Sequence, residues 1–275
     1  MNNSFRVFSN KWPGSFLMVM SVSVANAEPL FDAHLHYNIS DAKQFSPPQV
    51  IRILKRNNIQ QALVTSRPPE HVFKLHQQAP KRILPLLGIY HIEEDKQNWI
   101  DNTKLPGRLA VLLKQGHWRG IGELHLFAQQ RHKPVFTKII QLAKQYTLPL
   151  LLHTDPAVID TVFERAPGHP ILWAHAGTFP YPDLLADYLK RYPTLRIDLS
   201  VRDERIAPNG IIEDAWYELF IRFPDRFMVG VDTYSLSRWQ NYDSVVTRTR
   251  QWLDQLPDSV AKQLAYRNAA ELFNN

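Results

Sequence analysis

FDAHLH, residues Phe31–His36, alternates apolar and ionisable side chains with a period of two, which reads as a β-strand. In a strand the side chains of residues i and i+2 leave on the same face, so His34 and His36 point together and Leu35 points away. Two imidazoles at that spacing can share one metal ion. HxH alone is a weak signal, because eleven histidines in 275 residues make a chance triplet ordinary. The rest of the chain adds weight to it. Metal-type side chains recur in a fixed order, each closing an apolar, β-rich run: Glu123 in GIGELHL, His153 in LPLLLHT, His175 in ILWAHA and Asp232 in MVGVDT.

Eight such runs can be marked, at 30–36, 60–66, 83–90, 119–126, 148–154, 170–176, 195–201 and 227–233. Amphipathic stretches lie between them. Ser46 followed by two prolines reads as a helix N-terminus, and 134–146, 155–165, 181–192 and the tail 257–273 carry apolar residues at helical spacing. Repeated strand-then-helix alternation predicts an α/β fold, a single-domain (β/α)₈ TIM barrel over residues 28–275, with the metal-type residues on the rim formed by the C-terminal strand ends. An open doubly wound sheet is the alternative, but GxGxxG after the first strand is missing. The long connection from Ile92 to Trp118 has room for an extra loop over the barrel mouth.

Residues 1–27 read differently. Arg6 and Lys11 precede a short apolar run at 16–25, interrupted by Ser21 and Ser23, and Ala25-Asn26-Ala27 is a small-x-small cleavage pattern. The run is shorter than the roughly 20 apolar residues of a spanning helix. The expectation is a signal peptide, a periplasmic or secreted mature protein, and no stable membrane insertion after cleavage. Without Arg6 and Lys11 the 32 basic residues fall to 30 against 26 acids, so the net charge drops from +6 to +4. The basic residues form no block, which argues for a small-molecule substrate and against a nucleic-acid partner. Cysteine is absent, so thiolate metal sites, cysteine nucleophiles and disulfides are excluded. Nothing in the composition specifies an oligomeric state.

The chemistry is set by the residue types. A core has no structural reason to gather four histidines and two carboxylates, because buried ionisable groups must be paired or bound to metal. His34, His36, Glu123, His153, His175 and Asp232 are therefore the candidate ligands of one or two divalent ions. Glu123 can bridge two metals or serve one. Asp232 can ligate an ion and act as the base that takes a proton from an activated water. Asp198 and Ser200 alternate into the barrel on the seventh strand and suit a supporting role. Substrate contacts belong in the loops after the strands. Arg67, His91, His125 and Arg202 are the candidates there, and the two arginines favour an anionic substrate.

At DAHLH (32–36), GIGELHL (120–126), LLHTD (151–155), WAHAG (173–177), GVDTY (230–234) and RNAAELF (267–273) the chain resembles the amidohydrolase superfamily, and most its amidohydrolase-related branch. That resemblance implies a distorted barrel with one or two divalent metals, commonly zinc. It implies that His34, His36 and Asp232 hold the more buried ion, while His153 and His175 hold the second or polarise the substrate. Many members carry a carbamylated lysine on the fourth strand. This chain has Glu123 there, as TatD-like hydrolases do, so carbamate chemistry is not expected. The expected activity is an exported metal-dependent hydrolase using a metal-activated water on a small ester, lactone, amide or phosphoester. Two alternatives stand beside it: a mononuclear decarboxylase of an aromatic or unsaturated acid, which the same branch contains, and a non-catalytic periplasmic binding protein.

Overall fold

The structure, a computed structural model, describes residues 28–274. The expected signal peptide at 1–27 lies outside the described residues. Eight strands appear where eight apolar runs are found: β1 Leu30–His36, β2 Ile59–Thr65, β3 Ile83–Pro85, β4 Ile121–Leu126, β5 Leu150–Thr154, β6 Ile171–Trp173, β7 Leu195–Asp198 and β8 Phe227–Met228. Each pairs in parallel with the next within β1-β2-β3 and within β4-β5-β6-β7-β8. Backbone hydrogen bonds close both remaining seams. Between β3 and β4, Gly122 N–H donates to Leu87 O at 2.9 Å and Leu87 N–H to Gly120 O at 3.0 Å. Between β8 and β1, Ala33 N–H donates to Val229 O at 2.9 Å and Asp232 N–H to His34 O at 2.7 Å. The result is a (β/α)₈ barrel.

Several strands are shorter than their apolar runs, for identifiable reasons. Pro85 has no N–H to offer, so β3 stops there and resumes only as a bridge from Leu87 to Ile121. The ends of the sixth, seventh and eighth runs turn left-handed at His175 (φ 57), Val201 (φ 56) and Asp232 (φ 55). Helices cover the outside. Pro47–Arg56, Pro134–Tyr146, Pro156–Arg165 and Pro182–Arg191 each begin on a proline, whose missing N–H costs nothing in a first helical turn. Ser46 caps the first, with Gln49 Oε1 accepting from the Ser46 N–H at 2.8 Å. The connection after β3 carries the short helical turns Asp95–Asn98 and Trp99–Asp101 before the helix Leu105–Leu113, the loop-plus-helix expected there. No helix among the described residues is long and apolar enough to cross a membrane.

The barrel interior has two storeys. Phe31, Ala33, Leu63, Leu84, Leu86, Leu151, Leu172 and Met228 form an apolar lower layer, sealed from below by Ala269 and Phe273 of the C-terminal helix Asn268–Phe273. Alternating neighbours such as Leu30, Val64, Leu150, Leu152 and Trp173 face the helices instead. The ionisable residues occupy the upper layer. Two β-bulges make this possible, because strict alternation from Phe31 and Ala33 would send His34 outward. Register shifts at Asp32–Leu35 on β1 and at Ile121–Leu124 on β4 insert one residue each, turning His34 and Glu123 inward. Asp32 secures the first bulge: its Oδ1 accepts from Val231 N–H at 2.9 Å and from His34 N–H at 3.2 Å, and its Oδ2 from Tyr242 Oη at 2.7 Å.

The second bulge depends on Gly122. Its φ is 150, and a Cβ there would collide with Leu151 O and stand 2.8 Å from Leu151 Cβ. Gly122→Ala is expected to cost about 1–3 kcal/mol through overpacking against β5, a fall of roughly 2–12 °C in Tm by differential scanning calorimetry. An unchanged Tm would show that the close approach is not needed.

Candidate metal centre

All six expected ligands meet in the upper storey. Glu123 stands at the centre, and its two oxygens divide the imidazoles between them. Oε1 lies 2.9 Å from His153 Nδ1 and 3.2 Å from His175 Nε2. Oε2 lies 3.5 Å from the Nε2 atoms of His34, His36 and His125. His34 and His36 bring their Nε2 atoms within 3.2 Å of each other, as the i, i+2 spacing requires. Asp232 closes the ring: Oδ1 is 3.2 Å from His36 Nε2 and 3.9 Å from His34 Nε2, and Oδ2 is 3.7 Å from His175 Nε2. His34, His36, Glu123, His175 and Asp232 are buried; His153 is partly exposed at the mouth.

The surrounding hydrogen bonds select the tautomers. His34 Nδ1 lies 2.8 Å from Asp198 Oδ2, a pure acceptor, so Nδ1 carries the proton and the Nε2 lone pair faces the cluster. Ser200 Oγ donates to Asp198 Oδ2 at 2.6 Å and therefore accepts from His175 Nδ1 at 2.9 Å, which frees the second Nε2 in the same way. Asp198 and Ser200 thus hold two of the candidate ligand imidazoles in register. The left-handed backbone at His175 and Asp232 costs on the order of 1–3 kcal/mol each. Hydrogen bonds hold it in place: Arg202 Nε donates to His175 O at 2.7 Å, and Arg238 Nε to Asp232 O at 3.3 Å. Gly230 lets this corner close, since a Cβ there would lie 2.8 Å from Asp198 Oδ1 and 3.0 Å from His34 Cβ.

Electrostatics bind the group together. Burial pulls the His34 imidazole down, but Asp232, Glu123 and Asp198 outweigh it and hold it well above its ordinary value. His36 is raised as well, its burial overcome by Asp232 and Glu123. Burial alone would raise Glu123, yet the surrounding histidines, His125 and His34 foremost, bring it well below the usual carboxylate range. Asp232 falls to about 2, because His34 and His36 override its burial. His125 goes the other way, lowered to about 3 by burial, and stays neutral. Tyr90 Oη accepts from the His125 N–H at 2.9 Å and lies 3.1 Å from its Nδ1, fixing the ring at the lip of the cluster.

The residues fit a divalent cation. Asp232 Oδ1 is buried without a hydrogen bond, although imidazole nitrogens crowd around it. Lone pairs aimed at one point are what an ion satisfies and what a core avoids. Among the described residues, the ligand atoms of three sets lie within 4.8 Å of one another: His34, His175 and Asp232; His34, His36 and Glu123; and Glu123, His125 and His153. His125, expected as a substrate contact, is thus also within ligand reach.

The other expected substrate residues divide. Arg67 and His125 line a narrow cleft with His36, Asn38, Tyr90, Lys96 and Glu123. Arg202 commits its guanidinium to the carbonyls of His175 and Gly177, so it braces the turn under the site. His91 is exposed on the loop, engaged through its backbone N–H with Asp95 Oδ2 at 2.6 Å, and does not line that cleft. Asp32, Lys96 and Glu93 are among the contributors that escaped the sequence reading. Asp32 left a signal, the ionisable position of FDAHLH that remains once two histidines are assigned. Lys96 and Glu93 left none, because only the folded loop carries Lys96 to the cleft and Glu93 to Arg67.

Histidines and carboxylates converge at one rim of the parallel barrel, and the family matches mark the chain as a hydrolase. The chain belongs to the amidohydrolase family, whose model matches residues 110–274. A second family model, TatD related DNase, matches residues 31–164. No curated protein sequence matches the chain. Among solved structures it is similar to candidate 2-pyrone-4,6-dicarboxylic acid hydrolases from Pseudomonas putida (TM-score 0.64, 13% identity, 90% of this chain and 98% of that one) and from Acinetobacter baumannii with citric acid bound (0.62, 16%, 90% and 99%). It is also similar to a TatD family hydrolase from Entamoeba histolytica (0.62, 11%, 90% and 98%). At these identities the likeness speaks for the fold.

The geometry has two testable consequences. Asp198→Asn leaves His34 without its anionic partner and is expected to weaken divalent-metal affinity about 10- to 100-fold, read by competition with a chromogenic chelator; unchanged affinity would remove Asp198 from ligand support. The raised imidazoles set the pH response. In the metal-free protein their contribution to stability is complete below the ordinary histidine pKa and is lost as pH rises through the elevated one. The depressed carboxylates contribute above the usual carboxylate range and lose that on acidification. Chelator-treated protein should therefore lose Tm from neutral into alkaline pH, and metal should abolish that loss; a flat alkaline profile without metal would contradict the charge balance.

Proposed function

We propose that the protein is an exported hydrolase of small esters, lactones, amides or phosphoesters, with zinc held by the upper-storey cluster. Carrying most weight is the Glu123 carboxylate, whose two oxygens face two different groups of imidazoles. In this reading His34, His36 and Asp232 hold the more buried ion, while His153 and His175 hold a second or contact the substrate oxygen. An ion so held supplies Lewis acidity toward the scissile carbonyl or phosphoryl group and toward water.

The chain's own groups account for the rest. Asp232, ionised across the neutral range, accepts the proton that the attacking water releases as its oxygen bonds to the carbonyl carbon or phosphorus. It returns that proton to the leaving oxygen or nitrogen as the scissile bond breaks. The Nε2 of His175, 3.7 Å from Asp232 Oδ2, faces the same space and orients the substrate oxygen. Tyr90 and His125, both neutral, wall the cleft and limit the water that enters. A small substrate, and no nucleic-acid partner, suits the narrow cleft. The pattern in residues 1–27 supports export, and sequencing the N-terminus of the protein from a periplasmic extract tests it, with a start near Glu28 expected.

A substrate panel tests the reaction: esters, lactones, amides, phosphoesters, a single-stranded oligonucleotide and aromatic acids, each offered to the zinc-loaded mature protein. Hydrolysis of a small ester, lactone, amide or phosphoester is expected. Carbon dioxide release from an aromatic acid, or cleavage of the oligonucleotide alone, would overturn the assignment. Asp232→Asn should lower kcat at least about 100-fold, within the range of lost general-base catalysis, with metal still partly bound by mass spectrometry under native conditions. Undiminished turnover would remove Asp232 from the mechanism.

A further inference from the structure

The cleft beside the metal cluster is lined by two cations, Arg67 from the loop after β2 and Lys96 from the loop after β3. A carboxylate already stands between them. Glu93, two residues past His91, pairs with both. Its Oε2 pairs with Arg67 Nη2, and its Oε1 lies 3.9 Å from Lys96 Nζ. Arg67 is well covered, its side chain 18% exposed, and its backbone N–H is fixed by Asn38 Oδ1 at 2.9 Å. Glu93 is 63% exposed. One partner is thus built into the wall and the other leans in from solvent.

That asymmetry has a physical consequence. A guanidinium at the edge of a reaction cleft is suited to a carboxylate or other small anion. A largely exposed side-chain carboxylate on a loop holds it only weakly, since exposed ion pairs contribute about 0–1 kcal/mol. We propose that Arg67 and Lys96 form the subsite for a carboxylate on the substrate, and that Glu93 fills it in the free protein as an internal competitor that the substrate carboxylate displaces. This rests on the hydrolase reading above and narrows it, because the substrate becomes an anion carrying a carboxylate at one end and the scissile bond at the other. The exchange of one carboxylate for another leaves the net charge of the subsite the same in both states, one negative group against two cations. It also disfavours neutral compounds, which would have to enter past a closed ion pair and leave it intact.

Isothermal titration of glutarate, a plain dicarboxylate, into the zinc-loaded protein tests this, with neutral glutaramide as comparison. Glu93→Gln removes the competitor and should tighten glutarate binding about two- to fivefold, the fold-change a weak exposed pair allows. Arg67→Gln should weaken it at least about tenfold, by loss of the charge-assisted contact. Glutaramide should show neither change. Glutarate affinity that is unchanged or weaker in Glu93→Gln, or unchanged in Arg67→Gln, overturns the proposal. Zinc content measured on the same samples separates the two readings: failure to take up zinc refutes the hydrolase assignment, whereas zinc-loaded protein blind to both substitutions refutes this subsite alone.

Discussion

The buried carboxylate of Glu123 organises the upper half of this barrel. A lone carboxylate in such a place would be protonated by the cost of desolvation. Here five imidazoles surround it within 3.5 Å, so it stays charged and in turn keeps His34 ready to carry charge. Each group is tolerated only because the others are present. Replacing any one leaves the rest buried and uncompensated, which is why the cluster behaves as a unit rather than as six separate ligands.

The scaffold converges on that unit from several directions. Bulges on β1 and β4 turn His34 and Glu123 inward, against the alternation that the apolar lower storey sets up. Asp32 ties the first bulge to the segment after β8 and, through Tyr242, to the outer helix Tyr242–Leu253. Asp198 and Ser200 hold two rings by their Nδ1 atoms and leave the Nε2 atoms facing inward. Arg202 and Arg238 secure the left-handed turns at His175 and Asp232. The apolar layer below, closed by Phe273, gives this polar assembly a rigid floor. Binding of an ion would relieve what the protein alone leaves unsatisfied, most visibly Asp232 Oδ1.

Much of this could be read from residue order. Apolar runs of strand length alternating with proline-started helices were enough for the barrel, because burial on both faces leaves a contiguous signal. The six central residues were legible because strand ends repeat and ligand chemistry draws on few residue types. Strand lengths were less so: Pro85 and the left-handed turns cut short runs that composition alone extends. The bulges were invisible, since a bulge changes register without changing residue type. Loop residues were the hardest. Arg67 and Arg202 look alike in sequence, yet one lines the cleft and the other is consumed by backbone carbonyls. Lys96 reaches the cleft, and Glu93 reaches Arg67, only through the fold of the connection after β3, which carries no periodic pattern.

The central claim, that side chains from β1, β4, β5 and the turns after β6 and β8 converge to hold a metal, is tested most directly by a crystal of the zinc-treated protein measured across the zinc absorption edge. The account requires an anomalous peak bounded by His34, His36, Glu123 and Asp232, with any second peak on the His153 and His175 side of Glu123. Zinc found only on the outer surface, or no peak between those residues at full zinc exposure, would contradict it.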